Sequence, residues 1–426
     1  MRRRDFMKLA GMGMLATTVG RAGPVLAQGQ AVGKGGKFNE WGWPQPYEQV
    51  SAKSIEWLKQ QGWWPLKLGS QPGFTSMPVA VPKGFMKARG LDVEVLPFLS
   101  GPAINEAAAA GRIQGGLEGN LPFTSLIANE SPVRCIAAIN PLIKHATLVP
   151  LNSPLKSLAD LKGMSTKPAF GIVAGSSAEF YFQEALRAHG LEVGKDVILK
   201  NLTPPDLLLM PEGLTGVVQW QPYVWDHLDI RKNARQIDSI FPYNWYMGNL
   251  WIRKEIIDNA PDAVQALVDA YAEGVNFTRY NPKEAIEITT QDVMHKRLAP
   301  ELVSRLITQV NNLYKPTWWY PHRELWSKEN ARVADWLAKG GRLRKPVSEQ
   351  LYASYFDTRF ADATFAKLGW KAPPQPPWIP ANWPGKVGQV PYPPYLNEDT
   401  LKQPQSFPEA GDLVKPWYFA GRTYEA

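Results

Sequence analysis

The sequence predicts an α/β fold followed by a Pro/Trp-rich C-terminal extension, and three observations carry that prediction. Alternating runs such as Leu91-Asp92-Val93-Glu94-Val95 stand between stretches of helical spacing, as strands alternating with helices would. This grammar runs once from about residue 64 and again after residue 147. The last 57 residues then change character, holding 12 of the 38 prolines together with Trp378, Trp383 and Trp417.

Taken in order, Leu66-Lys67-Leu68 reads as a strand that ends at Gly69-Ser70-Gln71-Pro72-Gly73. Val79 to Arg89 suits a helix with Val81 and Phe85 on one face, stopped by Gly90. After the strand Leu91–Val95, Ser100 opens a helix that runs through Ala110 to Gly111. In the second block Ser157–Gly163 reads as a short helix, and Gly175-Ser176-Ser177-Ala178 leads into a helix over Glu179–His189. Val217–Trp220 reads as a strand running into Gln221-Pro222-Tyr223. A helical block follows: Asn259 and Pro261 open a helix with Val264, Leu267, Val268 and Tyr271 on one stripe. Asn281-Pro282-Lys283-Glu284 starts the next, and helices are expected over Pro300–Leu313 and Trp326–Leu337. The extension favours polyproline-like structure that cannot build its own core, so it reads as a strap across the body, with a docking arm as the alternative.

Composition narrows the function. At 426 residues, 44% apolar and 20% charged, the chain has room for two or three lobes. Its 17 Trp, 15 Tyr and 16 Phe exclude disorder for most of the length. A single cysteine, Cys135, excludes an intramolecular disulfide and any cysteine-based cluster. The five histidines have no metal-ligand spacing, so neither a metal nor a cofactor is expected. Residues 1–27 carry half of the formal net charge of +8, leaving a mildly basic remainder with no stripe for nucleic acid. A small anion suits that balance.

Met1 to Ala27 reads as a secretory signal with a basic start, an apolar stretch over Leu9–Val19, and small residues before Gln28. Arg3-Arg4-Asp5-Phe6-Met7-Lys8 follows the twin-arginine pattern, which predicts export to the periplasm by that route. Gly29–Gly42 reads as a mobile leader, within a leader region over 28–63.

The ordered set Pro82-Lys83-Gly84-Phe85, Gly90–Val95, Ser100-Gly101-Pro102, Leu158–Gly163, Gly175–Ala178, Trp220-Gln221-Pro222-Tyr223 and Asn244-Trp245-Tyr246 resembles a known family. Its members are the solute-binding proteins of ABC importers for aliphatic sulfonates, taurine and nitrate, together with binders of thiamine-pyrimidine precursors. Gln114-Gly115-Gly116 departs from the Asp-Ile-Gly common there. The resemblance implies a two-lobed periplasmic binding protein, type II-like, with a hinged cleft. Lobe 1 would be 64–146 with 250–370 and lobe 2 would be 147–249, with 371–426 as the extension and crossings near Leu148 and Asn249-Leu250.

Candidate site residues follow from the ends of strands and the starts of helices. Gly175, Ser176 and Ser177 form a helix start, where backbone N–H groups and hydroxyls suit an oxyanion. Ser100 and Gly101 form another; an ordinary serine cap is the alternative reading of both. Gln71 and Asn120 follow presumed strands and offer hydrogen bonds, unless they serve only their turns. Trp220, Tyr223, Trp245 and Tyr246 offer an apolar wall, or else core. Glu118, Asp226, His227 and Asp229 are acid–base candidates without nucleophile spacing. The expected function is therefore binding, not catalysis. The resemblance implies that a small organic anion, sulfonate first and aromatic carboxylate second, is held between the lobes of a monomer and delivered to an ABC permease and its ATPase. A periplasmic enzyme or a sensory or docking protein on the same fold stays open.

Overall fold

A computed structural model describes residues 37–140, 143–310, 319–320, 323–343, 346–368, 384–386, 389–392, 417–419 and 422–424. The signal segment 1–27, the start of the leader and most of the extension lie outside the described residues.

Among the described residues two large sheets form the body, beside two-stranded ribbons at 37–38 with 44–45 and at 417–419 with 422–424. The first uses β1 (Leu66–Ser70), β2 (Val93–Pro97), β3 (Gly115–Gly119) and β4 (Val133–Ile139). The second uses β5 (His145–Pro150), β6 (Ala169–Ile172), β7 (Ile198–Asn201), β8 (Gly216–Trp220) and β9 (Ala234–Ser239). The chain then returns to the first sheet as β10 (Gly248–Arg253), and the two-residue β11 (Trp319–Tyr320) completes it. The orders are β11-β4-β10-β3-β1-β2 and β9-β5-β8-β6-β7.

Within the first sheet β2, β1 and β3 are parallel, whereas β10 lies antiparallel between β3 and β4. In the second, β7, β6 and β8 are parallel and β5 runs antiparallel between β8 and β9. β10 and β5 are the strands by which the chain enters each sheet after leaving the other. The chain leaves the first sheet after Ile139 and enters the second at His145, then leaves the second after Ser239 and returns at Gly248.

In chain order the first five helices of the described residues are α1 (Ala52–Gln60), α2 (Ser76–Ala80), α3 (Gly101–Ala109), α4 (Asn120–Ala128) and α5 (Ser177–Ala188), and the last three begin at the cleft. The expected helix over 79–89 does not form as one piece. It is the short α2 and a 3-10 turn at Lys87–Arg89, separated where Pro82 lacks an N–H and Gly84 takes φ +74°. The helix expected from Asn259 begins at Pro261, because Asn259 ends a separate helix over Lys254–Asn259. This helix, α6 (Pro261–Tyr280), buries Val264, Leu267, Val268 and Tyr271 completely. Burial of each such side chain contributes about 1.5–3 kcal/mol. Helix Pro300–Arg305 continues as a π-helical turn over Leu306–Val310, and the remainder of the expected stretch to Leu313 lies outside the described residues.

The leader is not free where it is described. Glu273, completely buried on α6, pairs with Arg89 Nη2 at 2.7 Å. Its other oxygen accepts from Asn39 Nδ2 (3.0 Å), Trp41 Nε1 (2.8 Å) and the Tyr47 hydroxyl (2.8 Å). The Arg89 guanidinium also lies 4.4 Å from the Tyr47 ring. A buried carboxylate needs such partners, so residues 39–47 are drawn onto the first sheet's helices.

Helix α7 (Arg323–Lys339) touches both halves. Trp336 and Leu337 cluster with Leu121 of α4 and Phe180 of α5. Arg332 pairs with Glu184 of α5 at 2.9 Å and with buried Glu329 at 3.1 Å. Within the extension Tyr392 is buried. Its ring stacks 4.5 Å from that of Trp245, its hydroxyl donates to Glu329, and its N–H donates to Pro242 O at 2.8 Å.

Candidate functional site

The cleft lies where the two sheets turn their ends to each other. Gln71, Gly101, Gly119, Pro122, His145, Ser176, Ser177, Trp220 and Tyr246 line it. Parallel strands present carboxyl ends there: Gln71 follows β1, Gly119 closes β3, Ser176 follows β6 and Trp220 closes β8. The reversed strands present amino ends instead, so His145 opens β5 and Tyr246 precedes β10. The free space is about 20 Å³, roughly the room of one water, so the halves sit close together.

Three helix N-termini meet at this point. The first turn of α3 contains no acidic residue, and the side chain of its cap, Ser100, makes no capping bond. The first turn of α4 is likewise free of acid. Both keep the positive end of the helix dipole uncompensated. The start of α5 differs. Glu179 in its first turn accepts from Gly175 N at 2.7 Å and is held by Arg342 in a two-pronged pair, with Nη1 at 2.9 Å. Its own carboxylate therefore offsets the positive end of this helix and takes up the Gly175 N–H.

The serines are also engaged. Ser176 donates its hydroxyl to Val173 O at 2.7 Å and accepts weakly from Glu179 N. Ser177 donates to Asn120 Oδ1 at 2.7 Å and accepts from Leu121 N at 3.3 Å. That pair joins the start of α5 to the start of α4, which makes it a direct polar contact across the cleft. The approach is close: a Cβ on Gly119 would stand 2.6 Å from Ser177 Oγ, and one on Gly101 only 2.4 Å from Pro122 Cγ. Gly175, at φ +76°, turns the chain opposite Pro102.

The aromatic expectations divide. Trp220 lines the cleft, with Tyr223 packed edge-on behind it at 5.9 Å. Trp245 is not on the lining. It is 1% exposed, stacks on Tyr392, and donates its backbone N–H to Glu329 Oε1 at 3.0 Å. The next residue, Tyr246, takes the cleft position, because successive residues of an extended segment face opposite ways. Pro122 and His145 went unrecognised in the sequence. His145 stands 4.9 Å from the Tyr246 ring and 6.2 Å from that of Trp220. Burial lowers its pKa to about 4.

The acid–base candidates do not assemble. Asp226 pairs with Arg231, His227 contacts Asn233, and Asp229 pairs with Arg305. Glu118 is completely buried beneath the cleft, its Cβ 3.5 Å from where a Gly101 Cβ would lie. Burial pushes its pKa well up, which favours the uncharged acid over the carboxylate. Among the described residues no group of three His, Cys, Asp or Glu side chains could hold a metal ion. Among the same residues no helix is long and apolar enough to cross a membrane.

Comparison with known proteins agrees with this architecture. A binding protein of Brucella abortus (strain 2308) is 25% identical over 224 residues, 51% of this chain and 67% of the relative. The aliphatic sulfonates-binding protein of Escherichia coli K12 is 31% identical over 163 residues, 37% of this chain and 50% of that protein. Among solved structures, the alkanesulfonate-binding protein of Xanthomonas axonopodis pv. citri, bound to MOPS, superposes with a TM-score of 0.58 at 20% identity. That match covers 69% of this chain and 98% of the other. The two-sheet body is thus the periplasmic binding protein fold. The NMT1/THI5-like family profile matches residues 71–285, just over half of the length, and the chain belongs to that family.

Proposed function

We propose that this chain is the periplasmic solute-binding component of an ABC importer and that it holds a small organic anion between two lobes. The observation that carries the reading is the meeting of uncompensated helix ends α3 and α4 with Trp220 and Tyr246 in a cleft whose described lining holds no charged side chain. Backbone donors at a helix start bind an oxyanion, and flat rings take the carbon part of the ligand. A sulfonate is the first choice and an aromatic carboxylate the second. The likeness to the E. coli sulfonate binder supports that order.

The lobes would be 64–146 with 250–370 and 147–249. They part to admit the ligand, and the liganded closed form is what a permease recognises. The oxyanion sits against α3 and α4, reached by Gln71, Ser100, Gly101 and Asn120. Gly175, Ser176 and Ser177 close over it, and Trp220 backed by Tyr223 packs its apolar part. The chain is a monomer, is not an enzyme, and reaches the periplasm by the twin-arginine route.

The test is calorimetric titration of residues 28–426 with alkanesulfonates, taurine, nitrate, aromatic carboxylates and sugars. Saturable binding of one anion class, with a thermal midpoint that rises accordingly, is expected. A ligand at 100 times its dissociation constant stabilises by about 2.7 kcal/mol. Binding of sugars alone, or turnover of the bound anion, would overturn the reading.

A further inference from the structure

The polar groups of the cleft are not all donors. The ring of His145 has Nδ1 3.0 Å from the carbonyl oxygen of Ile143. A carbonyl can only accept, so Nδ1 carries the hydrogen, and in the neutral ring Nε2 is a bare lone pair. The ring lies between Trp220 and Tyr246 on the cleft lining, and among the described residues Nε2 has no hydrogen-bond partner. Burial keeps the imidazole neutral throughout the physiological range. The hydroxyl hydrogens of both lining serines are spent on Val173 and Asn120, so neither can satisfy this lone pair without giving up its own bond.

We propose that His145 is a specificity-determining residue, whose Nε2 accepts a hydrogen bond from an N–H or O–H group carried by the bound anion. The inference rests on the solute-binding reading above and sharpens it: the ligand class becomes an anion with its own hydrogen-bond donor, not a bare oxyanion on an alkyl or aryl group. A ligand of acceptors only would set its lone pairs or its carbon against Nε2 and leave that atom desolvated and unpaired. Such a mismatch lowers affinity at least about tenfold.

Matched ligands test this by calorimetry: 2-hydroxyethanesulfonate against propane-1-sulfonate, and 4-hydroxybenzoate against 4-methylbenzoate. The wild-type chain should prefer the hydroxylated member of at least one pair by about tenfold or more. In His145→Phe, which keeps a ring between Trp220 and Tyr246, that preference should vanish. In His145→Gln, which restores an acceptor, it should partly return. Should His145→Phe fail to fold, ring-15N spectra of wild type serve instead. Nε2 should resonate as unprotonated in the free chain and shift on adding the hydroxylated ligand but not its partner. Equal affinity within both pairs, with binding intact, overturns the role of His145 and leaves the solute-binding reading standing. Binding of no anion in either series overturns that reading, and the assignment falls with it.

Discussion

The starts of α3 and α5 face one another across the same cleft, yet they are built for different tasks. At α5 the first turn carries Glu179, clamped by Arg342 and bonded to Gly175 N, while both serine hydroxyls are turned to protein partners. At α3 the first turn has no acid, Ser100 makes no side-chain cap bond, and burial pushes the pKa of neighbouring Glu118 up. Two helix ends with similar serine signatures thus offer unequal fields to a ligand. The difference assigns the work: α3, with α4 beside it, supplies the attraction for an anion, and α5 supplies the closing contact through Ser177 and Asn120.

The largest effect that bears on this contrast should come from Gly101→Ala. Its methyl would stand 2.4 Å from Pro122 Cγ, pushing α3 from α4 at a cost of about 2 kcal/mol, or roughly thirtyfold in anion affinity by calorimetry. Unchanged affinity would break the assignment of attraction to α3. The double variant Ser176→Ala with Ser177→Ala comes next. It removes the cap of α5 and the bond across the cleft, and should weaken binding at least about tenfold. If the loss appears as faster ligand dissociation with little change in association, the closing role is sharpened.

A gain is expected from Glu179→Gln. With the internal countercharge gone, the α5 end would begin to resemble α3, and anion affinity should rise by roughly threefold, about 0.7 kcal/mol of dipole interaction. No gain would mean that α5 is not directed at the ligand at all.

The smallest effect on binding should be that of Glu118→Gln, less than about twofold at pH 7, because burial raises the Glu118 pKa and so favours the uncharged acid that the amide mimics. A much larger gain would reveal an ionised Glu118 repelling the anion. Stability should separate the two proteins. The folded chain holds the Glu118 proton more tightly than the unfolded chain does. Wild type should therefore gain on the variant as pH falls through the raised pKa, and the difference should level off below the ordinary glutamate value. Denaturant midpoints across pH would show it.

Much of the α/β grammar was legible. Leu66–Leu68, Val93–Val95 and Val217–Trp220 lie in strands, and the stripe Val264, Leu267, Val268 and Tyr271 lies buried on one helix. Local alternation and helical spacing express which face is buried, and burial is what the fold rewards. Helix starts were legible for the same local reason, since Ser100 and Ser176 stand at caps. The break in 79–89 was misread because the apolar spacing outweighed Pro82 and Gly84. His145 carries no local signal of a site, because it stands at the amino end of its strand, away from the carboxyl ends where parallel strands present ligand-facing loops. Only the reversal of β5 within its sheet brings an amino end to the cleft.

Sequence alone therefore determined the alternation of elements, the starts of the helices and the family pattern, because these depend on residues a few positions apart. Tertiary structure decided which helix start keeps its field, which of Trp245 and Tyr246 meets the cleft, and that Ser177 reaches Asn120. Each of those depends on a partner far along the chain: Arg342 for Glu179, Tyr392 for Trp245, Asn120 for Ser177. Spacing along a sequence carries no record of which distant side chain will neutralise a charge or cover a ring.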